Sequence, residues 1–231
     1  MTATIVQSGT RRPFAGATVG SPPLGNHQRP VEPLGESIFV RAGSPLYREE
    51  DEATYLYKII AGAVRAFTFT EGGRRQVNGL YFGGDSFGSA QLGHYRSSVE
   101  AITDCTLVRF RQDRRETAAK LGFDRFVLDV ALAEIRAAEQ QILMLGRMSA
   151  CAKVAAFILH LADRISRGES CATAVSIPMT RYDIADFLGL SAESVSRCLT
   201  KLKRRGMIEM DAPDEVKLVD REALVDVPRG F

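Results

Sequence analysis

Apolar and polar residues alternate in short runs between about residues 35 and 110. The alternation is visible over residues 66–70 and again over residues 106–110, and glycines such as the pair at 72–73 separate these runs about every ten residues. A period of two is that of a strand with one buried face. Because several short strands with frequent turns favour an antiparallel barrel or roll, residues 31–118 are expected to form an amino-terminal β-roll.

Beyond about residue 115 the apolar residues recur with the period of a helix. One stripe, the first stripe, has spacings of three and four: Leu128, Ala131, Ile135, Ala138, Ile142 and Leu145. A second stripe lies on a neighbouring face: Phe126, Val130, Ala133, Ala137 and Met144. Either the helix is buried in its own domain, or one face packs on the roll and the first stripe meets its copy in a homodimer. We favour the homodimer and expect a dimerisation helix over residues 119–147.

A helix-turn-helix is predicted over residues 181–202. Its first helix is expected to bury three apolar residues: Ile184, Ala185 and Leu188. Gly189 permits the tight turn, and Ser191 can cap a second helix. That second helix would bury one face: Val195, Cys198, Leu199 and Leu202. Because the apolar runs within residues 207–219 predict a hairpin, residues 148–231 are expected to form a winged helix-turn-helix, and the whole chain an α+β fold.

Basic residues are concentrated near this motif. The formal net charge of the 231-residue chain is only +2 at pH 7, which excludes a uniformly basic protein. Residues 147–206 nevertheless hold ten Lys and Arg against five Asp and Glu, whereas residues 207–231 hold three against seven. A basic block inside a near-neutral chain is the electrostatic footprint of a polyanion, and beside a helix-turn-helix that polyanion is double-stranded DNA.

The exposed positions of the second helix provide candidates for reading bases. Near its amino end, Arg197 can donate two hydrogen bonds to guanine and Glu193 can accept one from cytosine, with Ser196 adaptable. The alternative for Glu193 and Arg197 is an i, i+4 surface ion pair, worth about 0.3–0.5 kcal/mol. Contacts to phosphates, which set affinity but not sequence, are predicted for five residues: Ser194, Thr200, Lys201, Lys203 and Arg204. The alternative for the basic residues among them is a solvated face.

The roll, long helix and winged helix together resemble the CRP/FNR family of bacterial transcription regulators across about residues 30–220. Segments similar to family signatures lie at residues 60–65, 83–88 and 155–159. Glu193-Ser-Val-Ser-Arg197 looks like the E-x-x-S-R reader of the FNR and FixK branches, and we favour FixK. The resemblance implies a cyclic-nucleotide-binding-like roll in a homodimeric activator. Its implied partners are RNA polymerase and a palindromic operator related to TTGAT-N4-ATCAA.

The resemblance also bears on ligands. FNR proteins hold an oxygen-sensitive 4Fe–4S cluster with cysteines near the amino end, and this chain has no cysteine before Cys105. In cyclic-nucleotide binders an acidic residue follows G-D-x-x-G and an Arg-Ser pair binds the phosphate. Here Ser89 takes the acidic position, and the pair at residues 96–97 is in register only with a one-residue gap. We expect no cofactor, metal or effector. The alternative is an effector-gated regulator whose roll binds a cyclic nucleotide or another small ligand, such as haem held by His94.

Other functional classes have little support. A cupin-like enzyme needs clustered histidines on its barrel, and only His94 lies in the roll. No nucleophilic triad or phosphate-binding loop stands out, so we expect no catalytic residues and no enzyme. No run approaches the ~20 apolar residues of a membrane span, and four dispersed cysteines fit a reducing cytoplasm. Residues 1–30, rich in Gly, Ser, Thr and Pro, are predicted to be a flexible tail.

Overall fold

The computed structural model describes six stretches of the chain: residues 35–89, 93–112, 120–146, 148–165, 174–212 and 214–227. The tail predicted for residues 1–30 lies outside them. Eight strands come first: β1 (Glu36–Val40), β2 (Pro45–Tyr47), β3 (Tyr55–Ala61), β4 (Ala63–Phe69), β5 (Arg75–Phe82), β6 (Ser86–Phe87), β7 (Ser98–Ala101) and β8 (Cys105–Arg111). Helices and short strands follow: α1 (Lys120–Leu145), α2 (Ala150–Ile165), β9 (Ala174–Ser176), α3 (Arg181–Leu188), α4 (Ala192–Arg204), β10 (Ile208–Glu209), β11 (Glu215–Leu218) and α5 (Arg221–Asp226).

The first eight strands form two antiparallel four-stranded sheets, in the orders β1-β8-β3-β6 and β2-β7-β4-β5. The alternation in the sequence appears directly as burial. In β8, Cys105 and Leu107 are fully buried, whereas Thr106 and Val108 are partly exposed. Gly73, with a φ of 72°, turns the chain between β4 and β5, a conformation that favours glycine. The predicted β-roll is confirmed.

Helix α1 connects the roll to the carboxy-terminal region. It begins and ends within two residues of the predicted bounds. Val130 packs into a small cluster with the roll, and Met144 joins the core of the carboxy-terminal region. Between them the Gln141 amide donates to the carbonyl oxygens of Val77 at 2.8 Å and Phe187 at 3.1 Å. One side of α1 is therefore fixed by both regions.

The carboxy-terminal region is a winged helix-turn-helix. Its helices and strands share one hydrophobic core. The three short strands are antiparallel in the order β10-β11-β9, and β10 and β11 form the hairpin predicted as the wing, with Ile208 opposite Leu218. The predicted α+β fold is confirmed. Among the described helices none is long and apolar enough to cross a bilayer.

Charged side chains join the roll to the helix-turn-helix in what we call the ionic joint. Arg65 of β4 and Arg75 of β5 both donate to Asp183 of α3, with N–O distances of 3.1 and 2.7 Å. Arg65 also pairs with Glu100, and Arg75 Nε lies 2.8 Å from Asp186 Oδ2. Burial opposes the charge of Arg75, but Asp186 and Asp183 outweigh burial and raise its pKa. Because Asp183 is only 1% exposed, the joint fixes how α3 sits on the roll.

Candidate nucleic-acid interface

Local hydrogen bonds determine where the two helices of the helix-turn-helix begin and end. Thr180 and Asp183 form a capping box for α3, because each side chain accepts from the backbone N–H of the other, at 3.2 and 3.1 Å. Gly189 ends α3 with a φ of 62° and a ψ of 40°, the left-handed region. Ser191 Oγ accepts from Ser194 N at 3.1 Å and caps α4. Gly189 and Ser191 thus do what the sequence predicts.

Helix α4 has one buried and one exposed side. The buried side matches the prediction: Val195, Cys198, Leu199 and Leu202. The exposed side carries seven of the eight predicted DNA-contact residues: Glu193, Ser196, Arg197, Thr200, Lys201, Lys203 and Arg204. Ser194 differs, since it is half-buried with its Oγ 2.9 Å from Ser191 Oγ, so part of its hydrogen-bonding capacity serves the cap.

The predicted base readers Glu193 and Arg197 form an ion pair in the free protein. The Arg197 Nη1–Glu193 Oε1 distance is 3.1 Å, and Arg197 Nη2 lies 3.3 Å from Ser194 Oγ. The two charged side chains remain 68% and 76% exposed, respectively. An exposed pair of this kind is worth only about 0.3–0.5 kcal/mol, so it orients the guanidinium without competing strongly with a ligand.

The remaining polar side chains of α4 have internal partners to differing degrees. The hydroxyls of Ser196 and Thr200 donate to carbonyl oxygens one turn back, at 2.9 and 3.0 Å. Lys203 Nζ donates to the carbonyl oxygen of Met210 at 3.0 Å and so ties α4 to the wing. The basic residues of the last turn also suit the negative end of the helix dipole, which is a structural role that needs no DNA.

The first stripe of α1 is largely exposed. Leu128, Ile135 and Ile142 are 57%, 54% and 66% exposed, whereas Val130 and Met144 of the second stripe are buried. Ala131 is half-buried, and Ala138 and Leu145 are exposed. Two leucines missed by the sequence analysis, Leu132 and Leu143, widen the exposed apolar surface. Ala133, assigned to the second stripe, is exposed and does not pack on the roll.

A carboxylate from α1 occupies the position of the roll where the acidic residue of a nucleotide binder would follow the G-D-x-x-G segment. Glu134 Oε1 accepts from Gly88 N at 3.0 Å, and Glu134 Oε2 accepts from Ser89 Oγ. Burial raises the pKa of Glu134, although the bonds from Ser89 and Gly88 oppose this. The sequence carried a signal for this contact, since Glu134 lies four residues after Val130 on the buried side of α1.

The interior of the roll is filled with aromatic rings. Tyr47 stacks on Tyr95 with 3.6 Å between ring centroids, and Phe87 lies 5.3 Å from Tyr57 and 5.1 Å from Tyr81. Burial raises the pKa values of Tyr47 and Tyr81, so their hydroxyls stay neutral.

The positions considered for other ligands lie elsewhere. Arg96 is exposed, and His94 is at the surface with Nδ1 3.0 Å from the carbonyl oxygen of Glu50. Across the described stretches no three His, Cys, Asp or Glu side chains cluster as metal ligands.

Known proteins match both regions. Residues 37–119 match the cyclic nucleotide-binding domain, and residues 152–227 match the Crp-like helix-turn-helix domain. The solved structure of FixK2 from Bradyrhizobium japonicum superimposes with a TM-score of 0.75 at 31% identity, over 85% of this chain and 98% of that one.

Full-length relatives give the same assignment. The nitrogen fixation regulation protein FixK of Azorhizobium caulinodans is 36% identical over 199 residues, which cover 84% of this chain and 79% of that protein. The transcriptional activatory protein AadR of Rhodopseudomonas palustris is 36% identical over 197 residues, covering 82% and 80%. These relatives are transcription regulators and not enzymes, and a Crp-like helix-turn-helix binds DNA. The chain therefore belongs to the CRP/FNR family of transcription regulators and is FixK-like within it.

Proposed function

We propose that the protein is a homodimeric, sequence-specific activator of transcription that binds a TTGAT-N4-ATCAA-like palindrome without a bound effector. The exposed side of α4 carries this proposal, because Glu193, Ser196 and Arg197 project there directly after the Ser191 cap. The amino end of a recognition helix is the part that reaches base edges in the major groove. The relatives named FixK and AadR, the latter an activator by name, support the same function.

Each proposed half-site contains one G·C pair, and the two charged readers suit its two bases. The Arg197 guanidinium can donate two parallel hydrogen bonds to guanine O6 and N7, and the Glu193 carboxylate can accept from the cytosine amino group. Their separation of 3.1 Å in the free protein keeps both near one base pair. Thr200, Lys201, Lys203 and Arg204 then contribute phosphate contacts, as does the Ser194 hydroxyl at the helix start.

The first stripe supports the homodimer. Leu128, Ile135 and Ile142 recur every seven residues and are more than half exposed, while Ala131, Ala138 and Leu145 fall between them. Apolar residues in this heptad pattern pack against a second helix, and the alanines allow close approach. A two-fold dimer would carry two α4 helices for the two halves of a palindrome.

The contacts of Glu134 support binding without an effector. Its carboxylate already accepts hydrogen bonds from Gly88 and Ser89, and aromatic rings fill the roll beside it. A ligand would have to displace a buried carboxylate and leave it unpaired, which costs free energy. As a regulator of this kind the protein would act in the cytoplasm, where RNA polymerase and its operator are found.

Titrations of labelled duplexes with purified, metal-free and ligand-free protein test the proposal. We expect binding to the palindrome to be at least about 10³-fold tighter than to a scrambled duplex. Inserting five base pairs between the half-sites turns one major groove about half a helical turn away, so tight binding should be lost. Equal affinity for the palindrome and the scrambled duplex would contradict the proposal.

A second candidate function is an effector-gated regulator of the same architecture. It is favoured by the match of residues 37–119 to the cyclic nucleotide-binding domain. In that case the ligand-free protein would bind the palindrome weakly, and the right small molecule would restore tight binding.

A further inference from the structure

Two cysteine side chains meet between the recognition helix and helix α2. Cys151 lies in the first turn of α2 and Cys198 in the middle of α4, 47 residues later in the chain. Their Sγ atoms are 2.9 Å apart, and both thiols are free. Sequence spacing gave no hint of this pair, because it depends on how α2 packs across α4.

The two thiols differ in access to solvent. Cys151 is partly exposed, whereas Cys198 is 5% exposed. Burial, reinforced by the neighbouring Cys151 thiol, raises the pKa of Cys198. An oxidant from solution therefore reaches Cys151 first, and Cys198 is held beside it as the second thiol.

A third cysteine provides an internal comparison. Cys105 of β8 is fully buried in the roll, and its thiol donates to the carbonyl oxygens of Ala63 and Thr103 at 3.3 and 3.1 Å. With no cysteine in contact among the described residues, it has no resolving partner.

We infer that Cys151 and Cys198 are a redox modification site, in which a peroxide converts the two thiols to a reversible disulfide that weakens DNA binding by α4. The inference rests on the proposed function for its consequence, but the disulfide itself can be tested without DNA.

The chemistry balances with a peroxide as the two-electron oxidant. Cys151 thiolate attacks the peroxide, so an S–O bond forms, the O–O bond breaks, and an alcohol or water leaves. The Cys198 sulfur then attacks the Cys151 sulfenic acid, releasing a second water as the S–S bond forms. Two thiols are oxidised, one peroxide is reduced, and a dithiol such as dithiothreitol reverses the reaction by exchange.

The disulfide would act on the exposed side of α4 through the helix itself. A disulfide holds its sulfurs at about 2.05 Å, so the Sγ atoms must approach by just under an ångström. Val195, Leu199 and Leu202 pack α4 as a rigid unit, and Cys198 directly follows Arg197 in the chain. A small displacement of α4 therefore moves the guanidinium away from the geometry that a bidentate contact needs.

Treatment of the full-length protein with hydrogen peroxide, followed by alkylation and peptide mapping, tests the site. We expect a Cys151–Cys198 crosslinked peptide, with Cys105 still available for alkylation after unfolding. Operator affinity of the oxidised protein should fall about tenfold or more, since loss of one good bidentate contact is worth about 1–3 kcal/mol. Dithiothreitol should restore the affinity.

Matched variants separate the possible outcomes. Cys151→Ser and, independently, Cys198→Ala should bind the operator when reduced and lose the response to peroxide, while Cys105→Ser should respond like wild type. If the reduced wild type fails to prefer the palindrome, the proposed function fails, whatever the cysteines do. If both thiols stay free, if the crosslink joins another pair such as Cys105 and Cys171, or if the crosslinked protein binds with unchanged affinity, the inference is overturned.

Discussion

The roll and the winged helix use their polar side chains in opposite ways. In the roll, polar groups turn inward and are satisfied by the chain itself: Glu134 accepts from Gly88 and Ser89, and the Tyr95 hydroxyl donates to the Tyr55 carbonyl oxygen at 2.7 Å. In the winged helix, the charged residues of α4 face solvent, held only by a weak exposed ion pair. One region has its binding groups already occupied, and the other presents them.

The difference shows why a domain match does not define a ligand. The roll matches the cyclic nucleotide-binding domain over residues 37–119, yet its own carboxylate bonds the backbone at Gly88. A fold can keep its shape while the chemistry of its site changes. The winged helix keeps both shape and exposed charge, so DNA binding is the activity that survives in the described structure.

Disrupting the first stripe should have the largest effect, because the exposed α4 reads a palindrome only as one of a pair. Ala138→Asp would bring two carboxylates into an apolar seam without partners, at a cost of about 3–5 kcal/mol for each uncompensated charge. We expect monomers in sedimentation velocity and loss of operator binding.

Ala133→Asp is the matched control for this change. Ala133 is an exposed alanine on the same helix but outside the first stripe, so the same substitution should leave the dimer and its operator affinity intact. A dimeric Ala138→Asp protein, or an Ala133→Asp monomer, would mean that a different face of α1 forms the interface.

Removing a base reader should be the next largest effect. Arg197→Ala is expected to cost ~1–3 kcal/mol per half-site and roughly 2–6 kcal/mol for the dimer, with most of the preference for the palindrome lost. Competition titrations against scrambled DNA measure that preference directly.

Arg204→Ala provides the contrast on the same helix. It should weaken palindromic and scrambled duplexes alike and make the salt dependence shallower by about one unit per phosphate contact. Should Arg197→Ala behave in this way instead, Arg197 would be a phosphate contact and the operator assignment would lose its main support.

Weakening the ionic joint tests whether the closed roll holds the open winged helix in place. Asp183→Asn leaves Arg65 and Arg75 short of a buried charge, so urea unfolding should show a loss of about 3 kcal/mol. Asp186→Asn removes a carboxylate that is 28% exposed and should cost about 1 kcal/mol. Equal costs would mean that burial of Asp183 adds nothing to the joint.

Local patterns were enough to predict most of the fold. The period of two gave the roll, the period of 3.6 gave α1, and Gly189 and Ser191 gave the turn and cap of the helix-turn-helix, because each depends on residues close in sequence. The same holds for the buried and exposed sides of α4, which a single helix determines by itself.

The contacts that the sequence did not reveal join residues far apart in the chain. Cys151 and Cys198 meet across 47 residues, and Glu134 reaches Ser89 across 45. The ionic joint spans more than 100 residues between Arg75 and Asp183. No local period encodes such pairs, since they depend on how whole elements pack. A charged residue on the buried side of α1 was the one available signal, and it pointed to Glu134.

The smallest expected effect is on the roll, and it tests the closed half of the comparison. Adding cyclic AMP to wild-type protein should leave operator affinity unchanged within about twofold, because Glu134 already holds Gly88 and Ser89 and the ligand would have to leave that carboxylate unpaired. Titrations with and without the nucleotide measure the coupling. A rise of about tenfold corresponds to ~1.4 kcal/mol of coupling and would favour the effector-gated function. Glu134→Gln sharpens the result: if nucleotide acts on this variant but not on wild type, the charge of Glu134 is what closes the roll, whereas no action on either protein would assign the closure to the stacked tyrosines.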